Sequence, residues 1–288
     1  MHRLPVELIP FILGLPLAGF LFHALLGGTL VRGLGTRAGK WLVGAVGTGV
    51  VFGAFALSMQ LLQAMLKLPE GARRATYILA DWLAVGQLQV PFEFLIDPLS
   101  VLMCLVVTGV GGLIHLYATG YMAEDDDYPR FFTYFNLFIF FMLTLVLAGN
   151  LLVMFIGWEG VGLCSYLLIG YFYRNAEWKY NTDSANKAFI VNRIGDVGFL
   201  LAMFIIVVAF GTLSFEPINA RAAEVLGVGS GLATLVALLL FLAAAGKSAQ
   251  LPLYFWLPDA MAGPTPVSAL IHAATMVTAG VYLLTRVH

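Results

Sequence analysis

Charge is what this sequence has least of. Of 288 residues only 11% are Asp, Glu, Lys or Arg, while 60% are hydrophobic and the mean hydropathy is +0.91. A soluble domain carries roughly 25% charged residues, so this chain has too little polar surface to clothe a globule in water. It is an integral membrane protein. The formal net charge of −1 argues against nucleic acid as a partner, because phosphate binding needs a concentrated basic patch. Cysteine is almost absent too. Cys104 and Cys164 lie in separate apolar runs and make no Cys-x-x-Cys, zinc or iron–sulfur pattern. No G-x-G-x-x-G follows a strand and G-x-x-x-x-G-K-[ST] is missing, so nothing here is fitted to hold a nicotinamide, a flavin or ATP. No metal and no cofactor are expected on this chain, and any energy source must lie elsewhere.

What is present is a series of apolar runs long enough to cross roughly 30 Å of hydrocarbon. They fall near 5–26, 41–66, 98–120, 131–148, 149–173, 184–210, 230–260 and 265–286. The pattern predicts an all-α polytopic membrane protein of about eight transmembrane helices. A β-barrel is excluded, since barrel strands alternate over about 10 residues. The first run has no A-x-A-like cleavage site and is expected to stay as a helix, not to be removed as a signal peptide. Among the connectors, 27–40 is Gly-rich and basic, and 124–127 is acidic. In 67–97, Leu88, Val90, Phe92 and Phe94 alternate with other residues, which predicts a hairpin outside the bilayer that Pro91 interrupts. Asp97-Pro98 reads as an N-cap followed by proline at the first helical position. Lysine and arginine favour the odd-numbered loops by seven to four, which places those loops inside and the N-terminus outside.

The informative residues are the ionisable ones inside the runs, each costing about 2.5–3.5 kcal/mol on insertion scales. Glu159 lies nine residues into the fifth run, about 14 Å deep. Lys247 follows LATLVALLLFLAAAG, and Pro252 five residues later is expected to break the seventh helix. A break at that depth is tolerated where backbone is buried in protein or lines a wet cavity. His272 lies about a third of the way along the eighth run. Arg193 and Asp196, at i, i+3 on the sixth, share a face and are expected to pair, as are Asp183 and Lys187. Burial favours the neutral form of a lysine and a nearby carboxylate the charged form. Lys247 is therefore expected to be a proton carrier, coupled to Glu159 directly or through one water. His23 and His115 are expected to be structural, Gly109, Gly111 and Gly112 to allow close helix approach, and the phenylalanines of 131–141 to face lipid and neighbouring helices.

Several strings carry a family resemblance: LIDPLS at 95–100, HLY at 115–117, GWEGVGLCSYLLIG at 157–170, KAFIVNRIGD at 187–196, GKSAQLP at 246–252, WLPDAM at 256–261 and GPTPVSALIHAATMV at 263–277. From about residue 90 onward the chain resembles the subunit L family of respiratory complex I, the bacterial NADH–quinone oxidoreductase chain homologous to mitochondrial subunit 5. The large subunits of Mrp-type Na⁺/H⁺ antiporters share the same core and are the nearest rival; a purely structural membrane anchor is a weaker third option.

The resemblance implies two inverted five-helix repeats, each with a broken helix and a key lysine. Residues 1–97 would be two helices and an extramembrane link, 98–130 the third helix and an acidic loop, and 131–288 the first antiporter-like repeat with its broken seventh helix. Family members run to roughly twice this length, so the second repeat is expected to be missing, as in an N-terminal fragment or a truncated reading frame. Such a chain by itself is expected to bind a proton at Lys247 and pass none across a membrane. By resemblance Glu159, Lys247 and His272 form the proton relay, with Arg193 and Asp196 supporting it. FMN, Fe–S clusters and quinone would belong to partner subunits. The implied partners are the sister membrane subunits and the lipid bilayer, the translocated species is the proton, and the place is the bacterial inner membrane.

Overall fold

The computed structural model describes residues 3–86, 88–227 and 229–287. Seven of its helices are long and apolar enough to cross a membrane. They are α1 (Val6–Leu34), α2 (Thr36–Leu66), α3 (Pro98–Tyr121), α4 (Tyr128–Leu147), α5 (Leu151–Ile169), α6 (Trp178–Phe210) and, completing the chain, α9 (Thr265–Arg286). Between the last two lie a surface helix, α7 (Phe215–Val225), and an apolar helix of 17 residues, α8 (Gly231–Lys247). The fold is the polytopic all-α one that hydropathy predicts.

Three differences from the hydropathy pattern have local causes. The stretch 27–40 is not a loop: α1 continues through a π-turn at His23–Gly27, and only Gly35, with φ +82°, separates it from α2. That left-handed angle is open to glycine at no steric cost. The run 230–260 is broken, as expected, but before Pro252: its helix stops at Lys247. At about 1.5 Å per residue α8 reaches only about 26 Å, and an irregular stretch from Ser248 to Pro264 continues the crossing. Finally, α7 lies where hydropathy shows only a loop.

Two strands, β1 (Ala75–Val85) and β2 (Leu88–Ile96), form the expected antiparallel hairpin. Pro91 sits opposite Asp81, where the register shifts before Leu83, a bulge being a place where a strand tolerates the missing donor. The hairpin is sewn to the bundle through buried Glu93. Ser214 Oγ donates to Glu93 Oε1 at 2.5 Å, Asn150 Nδ2 donates to the same oxygen at 3.3 Å, and Gly149 N donates to Glu93 O at 2.9 Å.

These contacts fix the parity of the crossings. Hairpin, 148–150 turn and the 211–215 segment gather at one end of the bundle, where Leu151 N also donates to Leu213 O. The C-terminal end of α9 joins them there, because Arg286 pairs with Asp97 at the start of α3. At the other end Lys40 donates to Ala123 O at 2.8 Å, Arg174 pairs with Asp127 at 3.5 Å, and Thr265 donates to Tyr121 at 3.2 Å. Odd connectors therefore share one face and even connectors the other, with α8 and its irregular continuation acting as a single crossing.

The core is organised around α4, which packs against α1, α2, α3, α5 and α9. Phe131, Phe132, Phe135 and Phe138 are fully buried. For these four the expected share in a lipid-facing surface is corrected, since they turn onto other helices, while Phe140 and Phe141 lie on a partly exposed stripe. The start of α3 is as anticipated, a capping box in which Ser100 N donates to Asp97 Oδ1 at 2.8 Å and Asp97 N donates back to Ser100 Oγ at 2.9 Å.

Candidate functional site

The site grows from the way α8 ends. Ala249 adopts φ +50°, and the chain folds back so that Gln250 N donates to Ala245 O at 2.9 Å and Ala249 N to Gly246 O at 3.4 Å. These are the two bonds of a Schellman stop. Proline alone would have let the helix run further, since its ring clashes four residues back, at Ser248. The left-handed turn at Ala249 thus decides that Lys247 is the last helical residue. Trp256 Nε1 also donates to the Gly246 carbonyl, at 3.0 Å.

Small residues bring α6 against this end. Gly195 and Gly246 lie backbone to backbone, where a Cβ on either would stand 3.2 Å from the other's Cα, the close approach that a glycine stripe permits in a membrane. As a result Lys247 Nζ lies 3.7 Å from Asp196 Oδ1, with both side chains almost wholly enclosed (1% and 4% exposed). The same Asp196 oxygen accepts from Trp158 Nε1 at 2.6 Å, and Nζ stands 5.7 Å over the Trp158 ring. At 3.7 Å the ion pair is too long for a hydrogen bond. Lys247 Nζ has no hydrogen-bond acceptor among the described residues.

The expected pairings are therefore corrected. Arg193 and Asp196 form no ion pair along their own helix, and Glu159 makes no direct ion pair with Lys247, although the two stand close enough for their charges to interact, as the expected coupling requires. Arg193 reaches α5 instead, where Nη1 meets Glu159 Oε2 at 2.5 Å, while Asp196 faces α8. Two residues one turn apart on a helix share a face only loosely, and two different neighbours flank that face here. Asn192 Nδ2 turns back to Ala188 O at 2.8 Å and not toward Asp196. Nor do Asp183 and Lys187 pair: Lys187 Nζ bonds Asp259 Oδ2 at 2.6 Å, tying α6 to the irregular stretch after α8. Four charges thus form two cross-helix pairs, one sealed and one partly open, with the Arg193 side chain 44% exposed.

His272 lies in a π-turn of α9 spanning Leu270–Ala274. Neither ring nitrogen has a partner among the described residues, and the ring centroid is 6.2 Å from that of Trp256. Trp256 thus stands between His272 and the carbonyl beside Lys247. Ser248 Oγ, next to Lys247, donates to Val277 O at 2.7 Å, which fastens the end of α8 to α9.

Three residues enter the site that the charge pattern alone does not reveal: Trp158, Trp256 and Gly162. A buried indole N–H needs a partner, which is the signal the two tryptophans offered. Gly162 is visible only in three dimensions, since a Cβ there would lie 2.7 Å from Lys247 Nζ. That atom ends a flexible side chain, so Gly162→Ala should displace the ammonium without unfolding the bundle. A misplacement of this order costs about 10–100-fold in rate. Proton movement in the assembled complex should fall by that factor while the amount of complex on a native gel stays unchanged; unaltered proton movement would remove Gly162 from the site.

A family model described as NADH:quinone oxidoreductase/Mrp antiporter, TM matches residues 148–288, and one described as NADH-Ubiquinone oxidoreductase (complex I), chain 5 N-terminus matches 82–132. NADH-quinone oxidoreductase subunit L of Pseudomonas aeruginosa is 48% identical, over 98% of this chain and 44% of the relative. The subunit L of Escherichia coli is 47% identical, over 95% and 43%. NADH-ubiquinone oxidoreductase chain 5 of Chondrus crispus is 45% identical, over 92% and 40%. The chain therefore spans less than half the length of the curated relatives it matches. Among solved structures, a Mrp complex from Dietzia aligns with TM-score 0.73 and 31% identity, over 94% of this chain and 27% of that one. An archaeal membrane-bound sulfane sulfur reductase aligns with TM-score 0.76 at 22% identity, over 97% and 41%, a likeness of fold alone. With its broken helix, its enclosed lysine and relatives of this identity, the chain belongs to the subunit L/chain 5 family of NADH–quinone oxidoreductase.

Proposed function

We propose that this chain is a proton-translocating membrane-arm subunit of NADH–quinone oxidoreductase, working in the bacterial inner membrane beside sister antiporter-like subunits. The oxidoreductase chemistry would take place in partner subunits carrying FMN, Fe–S clusters and the quinone site, and this chain would act as a translocase without a redox group of its own. The observation that carries the reading is the Lys247–Asp196 pair, 3.7 Å apart, sealed at the end of a helix broken inside the bilayer.

The two pairs give that site a way to switch. Asp196 has Lys247 on one side and Arg193 three residues back on its own helix; Arg193 is held away by Glu159. If Glu159 lets go, Arg193 becomes a second partner within reach of Asp196. Whether Nζ keeps its proton depends on whether a carboxylate faces it. An exchange from Glu159–Arg193 plus Asp196–Lys247 to Asp196–Arg193 leaves Lys247 unpaired and ready to give a proton on toward His272. The reverse exchange restores the loaded state. In this scheme the half-exposed Glu159–Arg193 pair is the trigger and the sealed pair is the carrier.

The test is proton uptake driven by NADH in vesicles holding the whole complex. Lys247→Ala should abolish this subunit's share with the complex still assembled, and Lys247→Arg should fail equally, because a guanidinium does not release its proton at accessible pH. Wild-type uptake in either variant would refute the proposal. The rival, a Mrp-type Na⁺/H⁺ antiporter subunit, draws on the Dietzia structure. Proton movement driven by a Na⁺ gradient without NADH, and lost in Lys247→Ala, would establish the rival instead.

A further inference from the structure

A second group of buried polar side chains lies outside this site, among α1, α2, α3 and α4. His23 on α1, His115 on α3 and Asn136 on α4 are 2%, 0% and 0% exposed. Each spends its donor on a backbone carbonyl. His23 Nε2 lies 3.0 Å from Val43 O, His115 Nδ1 lies 2.7 Å from Gly111 O, and Asn136 Nδ2 donates to Phe132 O at 3.0 Å. A carbonyl only accepts, so both ring nitrogens at these contacts carry hydrogen. On each side chain an acceptor is left bare. His23 Nδ1, His115 Nε2 and Asn136 Oδ1 have no donor among the described residues.

These groups share one space. The Phe132 ring lies between the histidines, its centroid 6.0 Å from that of His23 and 6.2 Å from that of His115. A Cβ on Gly47 would meet the Phe132 ring at 2.5 Å and stand 3.1 Å from both His23 Cε1 and Asn136 Nδ2, and one on Gly19 would meet Val50 at 2.7 Å and Asn136 Oδ1 at 2.8 Å. Glycine at both positions lets α1, α2 and α4 close around these polar groups. On one side their space meets a cavity of about 520 Å³ that His23 lines and that opens between α1 and the α3–α4 connector, with Asp126, Asp127, Arg32 and Arg130 at its mouth. Tyr128, with its ring 4.9 Å from Phe132, is the other titratable side chain packed against the group.

A buried acceptor left without a donor is costly. Three acceptors with no protein donor are complementary to a ligand that brings hydrogen, and a polar cavity with several partners holds water where an apolar one stays dry. We propose that α1–α4 enclose a hydrated proton-binding site: water donating to His23 Nδ1, His115 Nε2 and Asn136 Oδ1, and exchanging protons with the aqueous phase through the Asp126–Asp127 mouth. The site is separate from Lys247 and does not require Lys247 to carry protons.

Two measurements on the assembled complex in lipid nanodiscs test this. Radiolysis converts internal water to hydroxyl radical, which labels the side chains touching it. Phe132 and Phe135, whose ring lies 4.3 Å from His115, should label several-fold more than Phe138, equally buried on the same helix. Gly47→Ala, whose methyl would press the Phe132 ring into the group, should reduce the excess. In ¹⁵N-histidine samples, magnetisation should pass from bulk water to His115 Nε2 and His23 Nδ1 within milliseconds. Labelling of Phe132 and Phe135 no greater than that of Phe138 would show a dry core and overturn the site. Labelling without transfer to either imidazole would show static water and overturn proton exchange. Neither readout depends on NADH oxidation or on Lys247, so they stand or fall apart from the pumping proposal.

Discussion

Asp196→Asn is expected to destabilise the folded chain by about 3–5 kcal/mol, the penalty for leaving one partner of a buried ion pair alone. Asparagine keeps an oxygen for the Trp158 N–H, so the geometry on α6 is retained and only the counter-charge is lost. Lys247 is then a cation at 1% exposure with no carboxylate facing it. Glu159→Gln should cost less, because its partner Arg193 is 44% exposed and can turn to Asp196, three residues on along its own helix. The double variant Asp196→Asn, Lys247→Met removes both buried charges. It should recover most of the stability while leaving proton movement abolished. Unfolding in detergent gives the stabilities and vesicle uptake gives the function. Equal destabilisation by Asp196→Asn and Glu159→Gln would show that the Lys247–Asp196 pair is not the sealed one.

The other large effect lies at the far end of the bundle. Arg286, 7% exposed, closes the last helix onto the first turn of α3 by bonding both oxygens of Asp97, and its guanidinium also donates to Tyr282 Oη. Asp97→Ala removes the cap of α3, worth about 0.5–2 kcal/mol, and strands a buried guanidinium, worth about 3–5 kcal/mol. Arg74→Ala, at the half-exposed pair with Glu216, should cost under about 1 kcal/mol. Burial alone would push the Asp97 carboxyl up, but Arg286 and Ser100 hold it below its ordinary value. A depressed carboxyl contributes stability that is present above the unfolded value of about 3.9. That stability is lost as pH falls through the lower folded value. The wild-type chain should therefore lose stability on acidification below about pH 4, and Asp97→Ala should lack that part of the loss. A parallel acid profile in the two proteins would show that Asp97 is not the group concerned.

Much of this architecture could be read from residue order because hydropathy and capping are local. Asp97-Pro98 announced its helix start, and Leu88 to Phe94 announced a strand. The helices that carry Glu159 and Lys247 followed from the apolar runs. Partner choice did not follow, because it depends on which helix stands beside which. Arg193 and Asp196 looked like a pair at helical spacing, yet Glu159 and Lys247 approach α6 from two sides and divide them. The end of α8 was misjudged for a related reason: proline is visible in a sequence, whereas a left-handed alanine at 249 is not. Trp158 and Gly162 belong to the site through contacts across helices, which spacing along one helix cannot encode.

The unequal lengths of α6 and α8 make the bilayer itself a component of the site. The apolar part of α6, 188–210, is about 35 Å of helix against roughly 30 Å of hydrocarbon. Helices that exceed the membrane tilt to fit it, by an amount that follows its thickness. α8, with 17 residues, is shorter than the hydrocarbon and has no excess length to tilt away. The two are clasped at Gly195 and Gly246, and α6 carries exposed Trp178 and Tyr180 at one end, anchors of the kind that seek the headgroup level. A thinner membrane would therefore lean α6 across a partner that stays upright, with the clasp as fulcrum one residue from Asp196 and Lys247. Lipid chain length becomes a mechanical input to the distance between the two charges.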